Sequence, residues 1–411
     1  MITQKSGKYY VIINYKSISG KWKKKWYQAG TGIREAERLE HRLIVARDSG
    51  ESILDRNTAP TIHEFLDQWL DTSIKPPSHA LGTYENYKYC CTKINKYIGN
   101  VRIDNLKAFA LTKMYKKMMN DGLSASSVRI IYRVLRTALN KAVKWDIIFK
   151  NPVLSSDAPK NTESPAQAYD QNQAILLLRQ SEKMGILYNL IISLGMLCGL
   201  RGSESCGLRW QDYDKNAEKL FIRHNLCRRD MTGFDTTAYE YCEKAGKSWH
   251  VLDTVKTKAS ENTIKLPEYV CELLDKRKLQ YETYHLKLGQ AYHDDNFILS
   301  NDIGIPYDVH YIYFVVHKVI NTYNNAHPDD LLPVIRAHDL RHTAATLLLE
   351  SNIDIKYVSR QLRHSSTTIT QNLYQHVTDR MASITADAME KIARPEKKDA
   401  NLSTAVSTAN H

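Results

Sequence analysis

The chain has 411 residues, of which 43% are hydrophobic and 25% are charged, and its net charge is +12. This ordinary globular composition is spread over more residues than one hydrophobic core usually serves, so two or three domains are expected. No apolar run approaches the ~20 residues of a membrane span, and the first residues lack the apolar core of a signal peptide, which argues against a membrane protein. Seven cysteines without a Cys-x-x-Cys pair indicate reduced thiols and a cytoplasmic protein.

The N-terminal segment concentrates the basic charge. Residues 1–50 contain 11 Lys or Arg against 4 Asp or Glu, which favours a module that contacts nucleic acid over a charged face that only serves solubility. Residues 8–31 contain β-branched and aromatic runs around a Ser-x-x-Gly turn, and a three-stranded sheet followed by a helix over residues 33–47 is predicted. The aromatic side chains are expected to pack on this helix. The candidate DNA-binding lysines are Lys21, Lys23, Lys24 and Lys25.

A helical unit is predicted next, because Thr61 and Glu64 form a capping box at the start of a helix. Apolar residues keep a helical spacing through the segment, so residues 60–152 are predicted to form four helices with one basic side. The candidate DNA-binding arginines on that side are Arg129, Arg133 and Arg136. Asn151 and Pro152 are expected to end the last helix, and a polar linker follows.

The rest of the chain is mostly helical in pattern with short strand-like pieces, which predicts a mixed α+β domain. The strand-like pieces are residues 219–224, 249–255 and 263–266. Residues 255–267 are interpreted as a hairpin, with Lys256 on its first strand and Lys258 near its turn. A short amphipathic helix over residues 381–393 is predicted, and residues 395–411 have too little apolar content to fold alone.

Residues 337–350 are predicted to form a helix whose first turn carries His338, Arg341 and His342 on one face. Three interpretations are open at this point. The two histidines with Asp339 resemble the zinc pattern His-Glu-x-x-His with aspartate in place of glutamate. His338 with Arg341 suits a phosphate held at the helix N-terminus without metal. The third is a polar helix start without chemistry.

Two other segments contain further candidate functional residues. Arg201 follows an apolar helix and a turn at Gly199, and Glu204 begins the next helix, so the guanidinium is expected at an element boundary. Arginine is the residue suited to two-point recognition of phosphate. Towards the C-terminus, His364 precedes a Ser/Thr-rich turn, and Tyr374 follows near the start of a last helix.

Together these residues resemble the active-site set of the tyrosine recombinases, the phage-integrase family. The ordered set is Arg201, Lys256, His338, Arg341, His364 and Tyr374. The resemblance covers nearly the whole chain. It implies an arm-site DNA-binding domain over residues 1–55, a helical core-site DNA-binding domain over residues 60–152 and a catalytic domain over residues 165–394, and residues 395–411 are expected to be a disordered tail.

The resemblance implies DNA strand transfer. Tyr374 attacks a DNA phosphodiester and forms a 3′-phosphotyrosyl link, and the freed 5′-hydroxyl later attacks a partner junction. Bond energy is conserved, so no cofactor, ATP or metal is expected. A phenol of pKa ~10 is only about 0.1% ionised at neutral pH. Arg201 and Arg341 are therefore expected to lower its pKa and to neutralise the charge that grows on the phosphate oxygens.

The roles of the other members also come from the family. Lys256, or Lys258 as the alternative, donates a proton to the departing 5′-oxygen. His338 supports the arginine pair or accepts the tyrosine proton, and His364 hydrogen-bonds a non-bridging oxygen. The sequence departs from the family at Arg363, which stands in a Leu-Arg-His run where Leu-Gly-His is frequent. A larger side chain is therefore expected where close packing is usual.

Two rival functions differ in class from a recombinase. A metallohydrolase would use His338, Asp339 and His342, but aspartate is shorter than the glutamate base it would replace, and Arg341 would face the cation. A DNA-binding regulator has no need of the complete set. Among recombinases, the basic sheet favours a mobile-element integrase over a chromosome-dimer-resolving enzyme. The expected partners are duplex attachment sites with core and arm sequences, a homotetramer in synapsis, an excisionase and a host DNA-bending protein, all in the bacterial cytoplasm.

Overall fold

The structure is a computed structural model that describes residues 1–16, 22–49, 59–160, 167–254 and 262–363. These residues form mainly helices with small antiparallel sheets, which confirms the predicted fold class. The chain divides into two compact units, Met1–Ser164 and Pro165–His411. Within the described ranges, none of the helices has the length and apolar character that a membrane crossing demands. All seven cysteines are free thiols.

The N-terminal residues form a sheet covered on one face by a helix. The elements are β1 (Ile2–Lys5), β2 (Lys8–Lys16), β3 (Trp22–Gly30) and α1 (Ile33–Ser49), with β2 in the middle of the antiparallel sheet. Val11 and Ile13 of β2 are buried with Ala36 and Leu43 of α1 in a small core. Because side chains alternate along a strand, Ile12 and its neighbours on the other strands face away from the helix.

Trp26 lies on this open face of the sheet. It pairs with Ile12, its side chain is 56% exposed, and its ring makes an edge-on contact with Tyr10. The expectation that the aromatic residues pack on the helix is therefore wrong for Trp26, whereas Tyr27 packs against the core under the helix. The alternation of the strand is the physical reason for this difference. The predicted Ser-x-x-Gly turn and Lys21 lie outside the described residues.

Residues 59–160 form four α-helices with a core of their own. The helices are α2 (Ile62–Trp69), α3 (Leu81–Ile98), α4 (Ala108–Asn120) and α5 (Ala125–Lys144), and α2 continues into a π-helical turn, Leu70–Ile74. The predicted capping box is confirmed: the Glu64 N–H donates to Thr61 Oγ1 at 3.3 Å, and the Thr61 N–H donates to Glu64 Oε2 at 2.8 Å. Val128, Ile131 and Leu135 of α5 are buried, as their spacing predicts.

Helix α5 ends earlier than the sequence suggests. The prediction that Asn151 and Pro152 end it is wrong, because Asp146 adopts a left-handed conformation (φ +59°) just after Lys144. The Ile147 N–H then donates to the Ala142 carbonyl at 2.9 Å, which closes the helix end. Asn151 instead caps the 3₁₀ turn Pro152–Ser155 by accepting a hydrogen bond from the Val153 N–H.

The second unit packs two small sheets against a group of helices. Its helices are α6 (Gln171–Met184), α7 (Ile186–Met196), α8 (Gly202–Cys206), α9 (Glu268–Leu288), α10 (Val309–Ala326), α11 (Asp339–Glu350) and α12 (Ile355–Gln361). Its strands are β4 (Tyr213–Asp214), β5 (Lys219–Ile222), β6 (His224–Arg229), β7 (Cys242–Ala245), β8 (Ser248–Thr254) and β9 (Asn262–Lys265). Helix α7 is buried along most of its length, which places it at the centre of the unit.

Of the predicted hairpin over residues 255–267, the structure describes the second arm, which forms β9 and pairs with β5, and the first arm and turn lie outside the described residues. β8 pairs with β6 and β7 in one sheet, whereas β9 pairs with β5 in the other. β5 and β6 follow each other in the chain with only Arg223 between them. β9 pairs with β5 and β8 pairs with β6, so β8 and β9 lie in different sheets. Residues 255–261, which contain Lys256 and Lys258, lie outside the described residues.

Candidate active site

The candidate site forms where two turns of the second unit meet. After α7 the chain turns at Gly199, whose φ of +64° favours glycine. A Cβ atom at this position would collide with the side chain of Leu362, which follows α12. The segment that precedes α8 therefore packs directly on the end of α12.

Arg201 and Glu204 form a fixed pair at the start of α8. The Arg201 N–H donates to Glu204 Oε2 at 2.9 Å, and Arg201 Nη1 donates to Oε1 at 2.5 Å. The predicted placement of this guanidinium at an element boundary is confirmed. Burial would raise the pKa of Glu204, but the charges of Arg363, Arg201 and Arg341 outweigh burial. The pKa of this carboxyl consequently lies below its ordinary value, and it is ionised at neutral pH.

Arg341 is buried although it lies in the first turn of α11. The residue is 2% exposed, and its Nη1 donates to the Gly199 carbonyl at 2.6 Å and lies 3.9 Å from Glu204 Oε2. Among the described residues, its buried Nη2 has no hydrogen-bond partner. Burial, followed by the charge of Arg201, lowers the pKa of Arg341 to about 9. An unpaired buried donor costs ~1–3 kcal/mol, so the oxygen of a bound anion would be stabilising here.

His338 lies at the N-cap position of α11, near this arginine, and its side chain makes no capping hydrogen bond. Its ring lies edge-on to the His342 ring with 4.9 Å between the centroids. Desolvation of the ring, followed by the effects of His342, Arg341 and Arg201, lowers the pKa of His338 to about 4. The ring is therefore neutral at neutral pH and offers a nitrogen that can accept or donate a hydrogen bond.

The zinc-like interpretation of this helix start does not match the geometry. The Asp339 carboxylate accepts hydrogen bonds from Arg336 Nε at 3.0 Å and from Arg336 Nη2 at 2.8 Å, so it faces an arginine. His342 Nε2 lies 4.0 Å from the same carboxylate. In the part of the chain that the structure describes, no three His, Cys, Asp or Glu side chains are placed to share a metal ion.

The structure brings together three of the six predicted residues: Arg201 and Arg341 lie beside Glu204, and His338 lies near enough to both arginines for their charges to lower its pKa. Lys256, His364 and Tyr374 lie outside the described residues. The ends of the Lys256 segment are described: Thr254 pairs with His224, and Asn262 pairs with Ile222.

The prediction missed Arg363 as a member of this site. Its side chain is buried, and its Nη2 donates to Glu204 Oε2 at 2.6 Å. The available signal was the Leu-Arg-His run, in which an arginine takes a place where glycine is frequent.

The candidate DNA-binding side chains differ in their availability. Arg133 and Arg136 are exposed on α5, but Arg129 Nη1 donates to the Pro159 carbonyl at 3.0 Å and is partly buried. Lys24 is exposed on the open face of the N-terminal sheet. The side chains of Lys23 and Lys25 are outside the described part of the chain, as is Lys21. The exposed candidates therefore lie on two surfaces, the open face of the N-terminal sheet and the outer side of α5.

Two family models match this chain. Residues 167–381 match the phage integrase family, and residues 62–158 match the phage integrase SAM-like domain. The first match contains all six residues of the predicted catalytic set, and the second contains α2 to α5.

Known proteins with similar sequences include recombinases of mobile elements. A tyrosine recombinase XerC-like protein of Caldanaerobacter subterraneus is 24% identical over 86% of this chain and 88% of its own length. The ICEBs1 integrase of Bacillus subtilis is 24% identical over 75% and 77%, and the transposase from transposon Tn916 of Enterococcus faecalis is 24% identical over 74% and 71%.

Solved structures share the fold. The Tn1549 transposon integrase in complex with transposon right end DNA superposes with a TM-score of 0.64 at 21% identity, over 80% of this chain and 99% of that chain. A lambda integrase tetramer bound to a Holliday junction superposes with a TM-score of 0.54 at 17% identity, over 89% and 92%.

Proposed function

The chain belongs to the phage integrase family, and we propose that it cuts and rejoins DNA through a 3′-phosphotyrosyl intermediate to integrate and excise a mobile genetic element. The relatives include the integrase of ICEBs1 and the transposase of Tn916, both encoded by mobile elements. The observation that carries the proposal is the buried Arg341 guanidinium, whose Nη2 has no partner among the described residues and lies beside a second arginine. This is the arrangement that a phosphate oxygen would complete.

In the proposed reaction, Arg201 and Arg341 hold the scissile phosphate while Tyr374 attacks it. The two guanidinium groups neutralise the charge that develops on the non-bridging oxygens, and their positions are already set by Glu204 and the Gly199 carbonyl. Such preorganised donors typically contribute ~10²–10³-fold each to the rate. The phosphodiester energy is kept in the tyrosyl link, so we propose that neither ATP nor a metal cofactor is needed.

Lys256, with Lys258 as the alternative, is proposed to protonate the leaving 5′-oxygen, and His364 is proposed to donate to a non-bridging oxygen. His338 has two possible roles. A ring with a pKa of about 4 is a weak proton acceptor at neutral pH, which favours support of the arginine pair in the DNA-free enzyme. A bound phosphate would offset the nearby arginine charges and raise this pKa, which makes the ring a better acceptor of the Tyr374 proton.

We propose that DNA is bound by three functional domains: residues 1–55 on arm sites, residues 60–152 on core sites and residues 165–394 at the cleavage site. Residues 395–411 are proposed to be a disordered tail. The exposed Lys24 supports the arm-site assignment, and the exposed Arg133 and Arg136 support the core-site assignment. The proposed setting is a synaptic tetramer in the bacterial cytoplasm, assisted by an excisionase and a host DNA-bending protein.

A groove with apolar and polar lining residues supports the assembly part of this proposal. It is lined in part by Ile264, Leu348, Ile353, Tyr357 and Val358, and Ile353 and Tyr357 are exposed. The amphipathic helix predicted over residues 381–393 of a neighbouring subunit is proposed to dock there.

Covalent trapping tests the function. The protein and its Tyr374→Phe variant are incubated, in the presence of a chelator, with nicked duplexes tiled across the DNA that flanks the gene, and the products are separated on a denaturing gel. A protein-DNA adduct formed by the wild type alone is the expected result. An adduct that survives in the Phe variant would show that another residue is the nucleophile. Tight binding without any adduct would favour a DNA-binding regulator.

A further inference from the structure

We propose that Arg363 is a positioning residue for strand cleavage: its guanidinium holds Glu204 and Gly199 so that Arg341 keeps a donor free for the scissile phosphate. This inference rests on the proposed function. The described hydrogen bonds of the Arg363 guanidinium go to Gln361, Gly199 and Glu204, so we propose that it acts through these neighbours.

Arg363 bridges the two turns that form the site. Its Nη2 donates two hydrogen bonds, one to Glu204 Oε2 at 2.6 Å and one to the Gly199 carbonyl at 3.4 Å. Its Nη1 donates to the Gln361 carbonyl at 3.0 Å. In return, the Arg363 carbonyl accepts a hydrogen bond from Arg201 Nη2 at 3.3 Å. One residue thus contacts the glutamate, the glycine turn and the first arginine of the pair.

The position of Arg341 depends on a competition for Glu204. Arg363 Nη2 lies 2.6 Å from Glu204 Oε2, whereas Arg341 Nη1 lies 3.9 Å from the same oxygen and donates to the Gly199 carbonyl. Three guanidinium groups therefore share one carboxylate, and a positive charge remains for an anion. Without Arg363, Glu204 would draw Arg341 from the present 3.9 Å into a hydrogen-bonded ion pair, and fewer donors of Arg341 would face a phosphate.

The backbone of Arg363 is held in a conformation that residues with a side chain seldom adopt. Its φ is +54°, in the left-handed region, at the turn that follows α12. Three hydrogen bonds donated by its guanidinium offset this strain.

The test compares two substitutions that separate backbone from side chain. Arg363→Gly permits the left-handed conformation but removes the guanidinium, and Arg363→Met keeps an unbranched apolar side chain of similar length. The rate of phosphotyrosyl adduct formation is measured on a nicked duplex at saturating protein, together with the Kd for the same duplex. We expect the rate to fall about 10- to 100-fold in both variants, the range typical for groups that orient a functional ligand, with an unchanged Kd.

A second buried arginine supplies the matched control. Arg277 of α9 is 3% exposed and donates to the carbonyls of Ile298 and Ser300, outside the site. Arg277→Met is expected to lower the Tm without slowing adduct formation by the folded protein. If a wild-type rate is retained by Arg363→Gly, the guanidinium has no positioning role, and the inference is overturned. If the wild type itself forms no adduct, the proposed function fails instead.

A double variant tests the competition directly. Glutamine at position 204 cannot attract Arg341 as a carboxylate does, so Arg363→Met with Glu204→Gln should cleave faster than the product of the two single effects. A double variant whose loss equals that product would contradict the competition. Where Gly or Met lowers the Tm too far for assay, Arg363→Lys keeps the charge but cannot bridge Glu204, Gly199 and Gln361 together. The Lys variant should then cleave more slowly than the wild type, and a wild-type rate would overturn the inference.

Discussion

The cluster around Glu204 and the open face of the N-terminal sheet both carry positive charge, yet they hold it in opposite ways. In the cluster, Arg341 is 2% exposed and its guanidinium is fixed by the Gly199 carbonyl. On the sheet, Lys24 is exposed beside the exposed ring of Trp26.

This difference separates two tasks of a DNA-processing protein. A donor that must meet a developing charge works best when it is fixed and shielded from water, even where that placement costs stability. A charge that only attracts the phosphate backbone works from solvent, at little cost to the fold and with a strong dependence on salt. Substitutions in the cluster should therefore change chemistry, and at Glu204 also stability, whereas substitutions on the sheet should change affinity alone.

Arg341→Met is expected to have the largest effect and to separate activity from stability. The rate of cleavage should fall by about 10²–10³-fold, because one donor to the developing charge is lost. The free energy of unfolding should change little, because two effects oppose each other. The change loses the hydrogen bond to Gly199 and the attraction to Glu204, but it also removes a buried donor without a partner among the described residues and relieves repulsion with Arg201. Adduct formation and urea unfolding of the DNA-free protein measure the two quantities. A large loss of stability would show that this arginine serves the fold.

Glu204→Gln tests the electrostatics of the cluster. Removal of the carboxylate leaves the guanidinium groups uncompensated, so the free energy of unfolding at neutral pH should fall by on the order of 3 kcal/mol. The pKa of Glu204 in the folded protein lies below the ordinary value of 4.5. Its stabilisation is therefore complete above pH 4.5 and is lost as the pH falls through the lower folded-state pKa.

Urea unfolding of the wild type and Glu204→Gln over a range of pH checks this sign. The stability difference should be constant above pH 4.5 and should shrink only in more acid solution. A difference that instead grows on acidification would mean that the carboxylate is not held in its charged form by the arginines.

Lys24→Ala tests the other half of the comparison. Loss of one phosphate contact should weaken binding to arm-site DNA and reduce the slope of log K against log salt by about 0.9. The Tm should not change, because the side chain is exposed. Arg38→Ala on α1 removes the same charge from an exposed position on the helix and is the matched control. Equal slopes for Lys24→Ala and the wild type would remove this lysine from the DNA contact.

Arg129→Ala should have the smallest effect. It should lower the stability of the fold more than it lowers the affinity for DNA. It removes the hydrogen bond to the Pro159 carbonyl, which is worth roughly 1 kcal/mol. Arg136→Ala, on the same face of α5 but exposed, should leave the Tm unchanged and weaken binding to core-site DNA. Thermal melts and titrations of core-site DNA measure the two quantities. If Arg129 is the DNA contact, Arg129→Ala will weaken DNA binding more than Arg136→Ala does.

Features that depend on neighbouring residues could be predicted from the sequence. The Thr61–Glu64 capping box and the buried face of α5 follow from local spacing, because a helix repeats within a few residues. The placement of Arg201 before a short helix follows from the glycine turn and from Glu204. The end of α5 could not be predicted, because the left-handed conformation that ends it is adopted by Asp146 and not by a glycine, the residue that usually marks such a position.

The sequence by itself determined the order of the predicted catalytic set, the amphipathic helices and the basic N-terminal strands, since each depends on residue types and short spacings. Only the tertiary structure decided that Arg341 is buried, that β8 and β9 belong to different sheets and that Arg363 shares Glu204 with the arginine pair. Those outcomes depend on segments far apart in the chain, such as the turn at Gly199 and the end of α12. Contacts of this kind are selected by packing and charge compensation, which no local spacing encodes.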